Sequence, residues 1–240
     1  MLKLNKIYNL DCIDGLKKLD DESIDLIITS PPYNLGNNHH TGNKKIFAYD
    51  DNLNEKDYQS SQINMLEQCY RVLKNSGSMM YQHKNRIKKG IQISPYEWIF
   101  KTQFCIKQEI VWINRSQNFD KIRFYPFTER VYWLAKNPKT KLYNTINKYD
   151  VFDWNEWKPV GTKGNHQRAF SEKMVSDLIS VFPDSTNILD PYMGSGTVAV
   201  VAKALGKNYI GFEIDKNYID IANQRINNSD LLTPKQSLFI

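Results

Sequence analysis

A glycine-rich turn between two short apolar segments constrains the fold of this chain more than any other feature. Asn187–Asp190 is apolar and ends in an acid, and Gly194-Ser195-Gly196 follows it. An Ala/Val-rich stretch, Val198–Leu205, comes next, and Asn208–Glu213 is a second apolar segment that ends in an acid. Two short apolar runs on either side of a helical stretch, with glycines at the first turn, predict a β-α-β unit of a parallel sheet.

This β-α-β unit has the features of a nucleotide-binding site. Gly194 and Gly196 let the backbone approach a ligand closely, and the start of the following helix offers N–H groups and a positive dipole end. Glu213 follows Gly194 by about 20 residues, the spacing at which an acid on the next strand reaches a ribose diol. The same residues are also compatible with an ordinary β-α-β unit that has a tight turn.

A second motif, Thr29-Ser30-Pro31-Pro32-Tyr33-Asn34, follows the apolar segment Ile24–Ile28, which is typical of a buried strand. The two prolines end this strand because they fix φ and donate no backbone hydrogen bond. A hydroxyl, carbonyl oxygens and an aromatic face then surround one turn. This set can accept hydrogen bonds from a planar amine while it stacks on the ring that bears the amine. A Pro-Pro turn with a packing tyrosine is the simpler alternative.

In this order, the two motifs resemble those of the beta-class DNA amino-methyltransferases of bacterial restriction-modification systems. In that family S/D-P-P-Y comes first and D-P-F-x-G-S-G-T comes last, and the resemblance covers about Tyr8 to Ile226. Tyr192 stands where the family usually has Phe and keeps an aromatic side chain there. The resemblance implies an α/β, Rossmann-like S-adenosylmethionine-dependent methyltransferase fold with a circularly permuted motif order. Its sheet would be mostly parallel and seven-stranded, with an antiparallel edge hairpin.

The resemblance also implies the site residues and S-adenosylmethionine as the cofactor. The target base would be flipped out of the duplex, with Tyr33 stacked on it and Ser30 Oγ and the Pro31 carbonyl accepting from its amine. At His166 and Phe170, expected at the methionine end of the cofactor, this sequence lacks the two prolines of the family pattern. Asp11 also fits the N-cap of a short helix. The implied catalytic residues are Ser30, Pro31, Pro32 and Tyr33, and the implied cofactor-binding residues are Asp11, Asp190, Pro191, Tyr192, Gly194, Ser195, Gly196, Thr197, Glu213, His166 and Phe170.

The acceptor base stays open between two alternatives. In the family a serine in the first position of the turn favours N4 of cytosine, whereas Asp or Asn favours N6 of adenine, and we expect cytosine here. A nicotinamide-dependent oxidoreductase is an alternative from another class, because Gly194-x-Gly196-x-x-Ala199 satisfies the loose dinucleotide fingerprint. That alternative leaves Ser30–Tyr33 unexplained. RNA and protein glutamine are further acceptors of methyl groups at N-P-P-Y-like turns.

The charge of the chain suits a polyanionic partner. It has 32 basic and 26 acidic residues, a formal net charge of +6 and a sequence pI near 9.0. Basic and amide side chains alternate with aromatics over Asn114–Phe124, a composition that can contact phosphates and base edges. The same segment also suits an ordinary solvated hairpin loop, and it is the resemblance that implies double-stranded DNA as the partner. A cognate restriction endonuclease and a homodimer are further expectations. The residues expected to bind DNA are Lys44, Lys45, Arg115, Lys121 and Arg123.

We expect one methyltransferase domain over residues 1–240. A polar segment, residues 34–61, is predicted to be a mobile loop that faces DNA, and a helix is predicted over Ile63–Leu73. A small target-recognition region is expected at about residues 137–164. The three cysteines have no metal-site spacing and are interpreted as packing thiols, and no metal is expected. No apolar run approaches the ~20 residues that span a bilayer, and the expected location is the cytoplasm.

Overall fold

The computed structural model describes residues 2–36, 51–114, 121–143, 149–153 and 171–229. These residues form a sheet with helices on both faces. Along the chain the elements are β1 (Lys6–Asn9), α1 (Cys12–Leu16), β2 (Ile24–Thr29), α2 (Glu55–Val72), β3 (Leu73–His83), β4 (Arg86–Lys88), β5 (Ile91–Ile93), α3 (Tyr96–Ile99), β6 (Cys105–Ile113), β7 (Thr128–Ala135), β8 (Val151–Phe152), α4 (Glu172–Ser180), β9 (Asn187–Asp190), α5 (Thr197–Ala204), β10 (Asn208–Glu213) and α6 (Lys216–Asn228).

The main sheet has the strand order β1-β10-β9-β2-β3-β7-β6-β8. Strand β7 is antiparallel to its neighbours β3 and β6, and the other neighbouring pairs are parallel. The predicted α/β fold with a mostly parallel sheet and an antiparallel hairpin is confirmed. The sheet has eight strands in place of the predicted seven, because β8 pairs with β6 and so covers the β6–β7 hairpin. A strand of two residues is too short to show an alternating pattern in the sequence.

The two motif-bearing strands are neighbours in the sheet, as the permuted motif order predicts. Strand β2 pairs with β9 through Leu26↔Ile188 and Ile27↔Leu189, although these residues are far apart in the sequence. From this pair the chain continues to β10 on one side and to β3 on the other. The strand order therefore reverses here, and ligands of open α/β sheets bind outside the carboxyl ends of strands at such a switch point.

Apolar side chains pack against both faces of the sheet. On one face Leu26 and Ile28 pack with the buried sides of α4, α5 and α6. On the other face Ile27 packs with α1, α2 and α3. Burying a leucine or isoleucine side chain contributes roughly 1.5–3 kcal/mol, so this central strand, buried on both faces, fixes the position of the turn that follows it. None of the described helices is long and apolar enough to cross a membrane.

The predicted loop over residues 34–61 is corrected at its end, because helix α2 begins at Glu55. The side chain of Asn54 caps it by accepting from the backbone N–H of Asp57 at 3.0 Å, and Glu55 and Asp57 give the first turn the negative charge that a helix start favours. The predicted start at Ile63 followed the first aliphatic residue of the periodic pattern. The first two turns instead bury Tyr58 and Gln62, which that pattern does not include. Residues 37–50 lie outside the described part of the chain.

Candidate active site

The Ser30–Tyr33 turn leaves the carboxyl end of β2, where the two hydroxyls face each other. Ser30 Oγ lies 2.8 Å from Tyr33 Oη, which also donates to Glu129 Oε2 at 3.2 Å. Burial and the negative charge of Glu129 raise the pKa of Tyr33 well above its usual value, so the phenol stays protonated. Glu129 in turn accepts from the side-chain amide of Gln82. The structure thus brings a carboxylate, a phenol and a hydroxyl together at the predicted catalytic turn.

Two buried residues, Tyr58 and His83, hold this turn through hydrogen bonds and a ring contact. Tyr58 Oη donates to the carbonyl oxygen of Pro32 at 2.8 Å and lies 2.6 Å from His83 Nε2. A carbonyl only accepts, so both bonds form together when Nε2 carries the imidazole proton and donates to Tyr58. Burial lowers the pKa of His83 from 6.5 to about 3, which keeps the ring neutral. The ring of Tyr33 packs on the same imidazole, with centroids 4.7 Å apart.

The end of the turn is tied to the segment that leads into α2. The backbone N–H groups of Asn34 and Leu35 donate to the carboxylate of buried Asp51 at 2.8 and 3.3 Å. The side-chain amide of Asn34 donates to the Leu53 carbonyl at 2.9 Å and accepts from its N–H at 2.7 Å. These bonds hold Asn34 at φ +55°, a left-handed conformation that asparagine tolerates better than most residues. Asn34, the residue after Tyr33, is therefore held by hydrogen bonds of both its backbone N–H and its side-chain amide.

Asp190 connects strand β2 to the glycine-rich turn. Its Oδ1 atom accepts from Thr29 Oγ1 at 2.7 Å and from the backbone N–H of Tyr192 at 3.0 Å. Burial raises the pKa of Asp190 from 3.8 to about 7, and the negative charge of Glu213 adds to the rise. Because Thr29 immediately precedes Ser30, this one carboxyl group couples the positions of the two motifs.

Glu213 lies at the end of β10 with its carboxylate beside the glycine-rich turn. Oε2 accepts from the backbone N–H of Gly194 and Oε1 from that of Asp215, each at 2.8 Å. A carboxylate has about four lone-pair positions, so each oxygen keeps one for a further donor. This arrangement fits a ribose diol, which presents two hydroxyl donors side by side. Burial raises the pKa of Glu213.

The two glycines of the turn serve different purposes. Gly194 has φ +51°, and the nearest atom to an added Cβ would be the Tyr192 carbonyl oxygen at 3.9 Å, so this side of the backbone is open to a ligand. Gly196 has φ +82°, and an added Cβ would lie 2.6 Å from the Cβ of Ala222 in α6. The close approach at Gly196 is therefore between α5 and α6, which the sequence did not indicate.

The hydroxyls of Ser195 and Thr197 accept from a buried arginine. Arg225 Nη1 donates to the Ser195 carbonyl oxygen at 2.6 Å, to Ser195 Oγ at 3.0 Å and to Thr197 Oγ1 at 3.1 Å. Its Nη2 donates to Glu172 Oε1 at 2.9 Å, at the start of α4. The two side chains thus fix the turn to α6, and contact of these residues with a cofactor remains a prediction.

The other predicted cofactor residues have identifiable partners or positions. Asp11 caps α1, as one of its two expected roles requires, and its Oδ1 accepts from the backbone N–H of Ile13 at 2.8 Å. Tyr192 Oη accepts from the Cys12 thiol at 3.2 Å, and its ring packs with the cluster formed by α1, α2 and α3. Burial raises the pKa of Cys12 to about 12, which fits a packing thiol. Pro191 is buried beside Asp190.

Five predicted site residues, Lys44, Lys45, Arg115, His166 and Phe170, lie outside the described residues. Lys121 and Arg123 precede β7, at the same edge of the sheet as the catalytic turn.

Sequence reasoning missed Tyr58, His83, Asp51, Glu129 and Arg225. Each reaches the site from another element, and no local motif marks the first four. Arg225 did leave a signal: it stands among Ile219, Ala222 and Ile226, the buried stripe of α6, where an arginine needs a partner.

Comparison with known proteins gives matches that span both motifs. The sequence model of the N6/N4 DNA methylase family matches residues 24–224. The type II methyltransferase M.BglII of Bacillus subtilis is 30% identical over 256 residues, which cover 92% of this chain and 68% of the relative. M.HinfI of Haemophilus influenzae is 31% identical over 255 residues, covering 93% and 68%.

Solved structures of low identity share the fold. The PvuII DNA methyltransferase, described as cytosine-N4-specific, superposes with a TM-score of 0.75 at 22% identity and covers 97% of this chain and 88% of its own. The complex of M1.HpyAVI with S-adenosylmethionine gives a TM-score of 0.62 at 21% identity, with 92% and 99% covered.

Proposed function

Because the chain belongs to the N6/N4 DNA methylase family, we propose that it transfers a methyl group from S-adenosylmethionine to the exocyclic amine of a flipped base in DNA, with N4 of cytosine as the favoured acceptor. The observation that carries this proposal is the hydrogen bond between Thr29 and Asp190. It holds the turn with the amine-accepting groups and the glycine-rich turn at adjacent carboxyl strand ends.

The residues around the glycine-rich turn fit the cofactor. S-adenosylmethionine, when bound, supplies a methyl group on a positively charged sulfur. Each carboxylate oxygen of Glu213 would accept a hydrogen bond from one ribose hydroxyl, using the lone pair that is not bound to the backbone N–H of Gly194 or Asp215. Asp11 would lie at the adenosine end of the cofactor. Pro191 and Tyr192 would line the same crevice, and the open side of Gly194 would let the backbone come close to the cofactor.

The acceptor base would be held by the Ser30–Tyr33 turn. Tyr33 would stack on the base, while Ser30 Oγ and the Pro31 carbonyl oxygen would each accept a hydrogen bond from one N–H group of the amine. The Pro32 carbonyl accepts from Tyr58 and so serves the turn itself. The two accepted hydrogen bonds draw electron density toward the amine nitrogen. Alignment of that nitrogen with the methyl donor would supply much of the rate, with no metal and no covalent enzyme intermediate.

The preference for N4 of cytosine rests on the serine at position 30, the residue that accompanies this acceptor in the family pattern. N6 of adenine is the alternative acceptor. Cytosine and adenine both present an amine beside a ring nitrogen, so the turn geometry alone accepts either. The oxidoreductase alternative is wrong, because the family match includes the Ser30–Tyr33 turn, which that alternative leaves without a role. RNA and protein glutamine are less well supported, because the family is one of DNA methylases.

Double-stranded DNA is the macromolecular substrate that the family implies. We propose that residues 137–164 include the target-recognition region, that the loop predicted over residues 34–61 faces DNA in the part that precedes α2, and that the protein acts in the cytoplasm. A cognate restriction endonuclease and a homodimer belong to the same proposal.

Nucleoside mass spectrometry of DNA from expressing cells tests the proposal. We expect N4-methylcytosine with the wild type and none with Ser30→Ala or Tyr33→Ala, while both variants still bind S-adenosylmethionine in calorimetry. N6-methyladenine in place of N4-methylcytosine would overturn the base assignment alone. Full activity of Tyr33→Ala would contradict the stacking role.

A further inference from the structure

Two segments beside the catalytic turn concentrate the positive charge of the chain. Residues 84–93 and 121–127 contain six basic residues and no acidic one, and the chain as a whole has a formal net charge of +6. The remainder of the chain is therefore formally neutral. We call these two segments together the basic rim. Its basic residues are Lys84, Arg86, Lys88, Lys89, Lys121 and Arg123.

The basic rim adjoins Tyr33 on two sides. Lys84 Nζ lies 5.7 Å from the centre of the Tyr33 ring, and residues 85–93 continue from there. On the other side, residues 121–127 end two residues before Glu129, the acceptor of the Tyr33 hydroxyl. Arg123 Nη2 donates to the Gly90 carbonyl oxygen at 3.4 Å, so the two segments touch. The rim is thus one surface that begins at the catalytic turn.

The first segment contains a hairpin that is anchored to α2. Strands β4 and β5 pair antiparallel, and Lys89 and Gly90 between them have φ +51° and +82°, as a tight two-residue turn requires. Arg86 anchors the hairpin to α2 through Glu55 at 2.7 Å, and its guanidinium lies 4.4 Å from the Tyr58 ring centre. The anchoring charge of Arg86 is buried, whereas Lys88 and Lys89 at the tip are exposed. Lys88 Nζ also lies 3.8 Å from the Glu55 carboxylate, and Lys89 is at the turn itself.

Apolar side chains stand among these exposed charges. Ile91 is 70% exposed, Ile122 is 84% exposed and Phe124 is fully exposed. Large apolar side chains held in water at one place mark a surface that binds something. With lysines around them they suit a nucleic-acid duplex, which offers phosphates for the charges and sugars and base edges for the apolar groups.

We propose that the basic rim is a duplex-binding surface, in which the β4–β5 hairpin contacts the phosphate backbone through Lys88 and Lys89 and Phe124 packs against the DNA beside the catalytic turn. This inference rests on the proposed function and adds the β4–β5 hairpin to the segment with Lys121 and Arg123, for which the sequence already predicted DNA contact. A second copy of the chain is the competing occupant. A two-fold interface through this surface would set lysines against lysines, whereas DNA neutralises them.

The salt dependence of binding to a random-sequence DNA duplex tests this inference, because it needs no knowledge of the recognition site. Each phosphate contact contributes about 0.9 to the slope of log K against log salt concentration. We expect the double variant Lys88→Ala, Lys89→Ala to reduce the slope by between about 1 and 2 relative to the wild type. Phe124→Ala should weaken binding with an unchanged slope, because it removes no charge.

The matched control is the double variant Lys17→Ala, Lys18→Ala, which makes the same charge change at the opposite edge of the sheet. Both lysines are exposed and follow α1, where Arg71 donates to the Leu16 and Leu19 carbonyl oxygens. We expect this control to keep the wild-type slope. Equal slopes for the two double variants would overturn the inference. So would a concentration-dependent dimer in sedimentation that Phe124→Ala dissociates.

The two proposals fail separately. Wild-type protein that methylates DNA, together with an unchanged slope for Lys88→Ala, Lys89→Ala, would refute the duplex-binding rim and leave the proposed function intact. Wild-type protein that yields no methylated base would refute the proposed function, whatever the slope.

Discussion

The hydroxyl of Tyr58 forms hydrogen bonds with two groups beside the Ser30–Tyr33 turn. It donates to Pro32 in the catalytic turn and accepts from His83, on which the ring of Tyr33 packs. One phenol therefore influences both a carbonyl of the turn and the platform of its aromatic side chain. Misplacing a reacting group by about 1 Å can cost roughly 100-fold in rate, so a residue that touches no substrate can still affect kcat.

We expect Tyr58→Phe to lower kcat by roughly tenfold or more, with little change in the affinity for S-adenosylmethionine, because the proposed cofactor site is the glycine-rich turn and Tyr58 has no hydrogen bond to it. The matched control is Tyr81→Phe. Tyr81 is also a buried phenol with two hydrogen bonds, but its partners are Gln62 and Trp98, at 2.9 and 3.1 Å, and not the turn. Both variants leave buried groups unpaired, at about 1–3 kcal/mol of the free energy of unfolding.

Steady-state kinetics, calorimetric cofactor binding and urea unfolding of the two variants separate positioning from stability. Equal losses of kcat in Tyr58→Phe and Tyr81→Phe would mean that the loss comes from general destabilisation, and would remove the positioning role.

At the scale of elements, Arg225 joins three helices and one turn. Its guanidinium pairs with Glu172 at the start of α4 and donates to both hydroxyls that flank Gly196 at the start of α5, while its own helix packs on Gly196 through Ala222. Arginine suits this task because its planar fork donates in several fixed directions at once. The glycine-rich turn therefore takes its shape from contacts across the helices as well as from its own sequence.

Replacing Arg225 by methionine should lower the free energy of unfolding by about 3–5 kcal/mol, because the mostly buried carboxylate of Glu172 and the acceptors of Ser195 and Thr197 would lose their partner together. Cofactor affinity should fall as well, and Arg225→Lys should restore only part of either quantity. Urea unfolding and calorimetric titration with S-adenosylmethionine measure both. Lys173→Met is the control, since it breaks a half-exposed pair with Asp177 on α4 and should cost no more than about 0.5 kcal/mol. Unfolding and binding unchanged in Arg225→Met would contradict this role.

The elements that the sequence predicts well are those with a local cause. β2 and β9 contain the short apolar runs Leu26–Ile28 and Ile188–Leu189, and α4 is preceded by Ser171, whose side chain accepts from the backbone N–H of Met174 as an N-cap does. The misses have distant causes. Helix α2 begins two turns earlier than predicted, where Tyr58 forms hydrogen bonds with His83 and Pro32. Strand β8 forms because it pairs with the outer edge of β6. A periodic pattern within one segment contains no information about such partners.

At the scale of the whole molecule, one sheet edge collects groups from distant parts of the chain. The pairing of β2 with β9 brings the two motifs together. Strand β7 contributes Glu129, which accepts a hydrogen bond from Tyr33 in the first motif. Two buried ionisable residues, Asp190 and His83, lie at the carboxyl ends of β9 and β3, on either side of β2. The free energy of unfolding therefore depends on their protonation.

These two groups affect the pH dependence of unfolding in opposite directions. The pKa of Asp190 is raised from 3.8 to about 7, so the native state takes up a proton that the unfolded state does not, and stability rises as pH falls through 7. The pKa of His83 is lowered from 6.5 to about 3, so the unfolded state takes up a proton first, and stability falls as pH drops below 6.5. Each slope is at most about 1.4 kcal/mol per pH unit, and the two oppose each other between roughly pH 6.5 and 4.

Asp190→Asn isolates the two contributions, because asparagine keeps the acceptor for Thr29 and Tyr192 and cannot ionise. We expect this variant to be more stable than the wild type at pH 8, by up to about 4 kcal/mol, with the difference shrinking as pH falls and vanishing near pH 4. Its own stability should fall between pH 6.5 and 4, where the opposing contribution of Asp190 is gone. Urea unfolding at a series of pH values measures both curves.

Asp25→Asn is the matched control with the opposite sign. Burial alone would raise the pKa of Asp25, but hydrogen bonds from Lys74, Asn187 and Thr186 outweigh it and lower the pKa. Its carboxylate therefore stabilises the fold at neutral pH, and that contribution is lost as pH falls below about 4. Asp25→Asn should be less stable than the wild type at pH 8 and approach it in acid. If the Asp190→Asn difference were independent of pH, the carboxyl that couples the two motifs would be ionised throughout. The Thr29–Asp190 junction would then bear a full buried charge over the whole pH range measured.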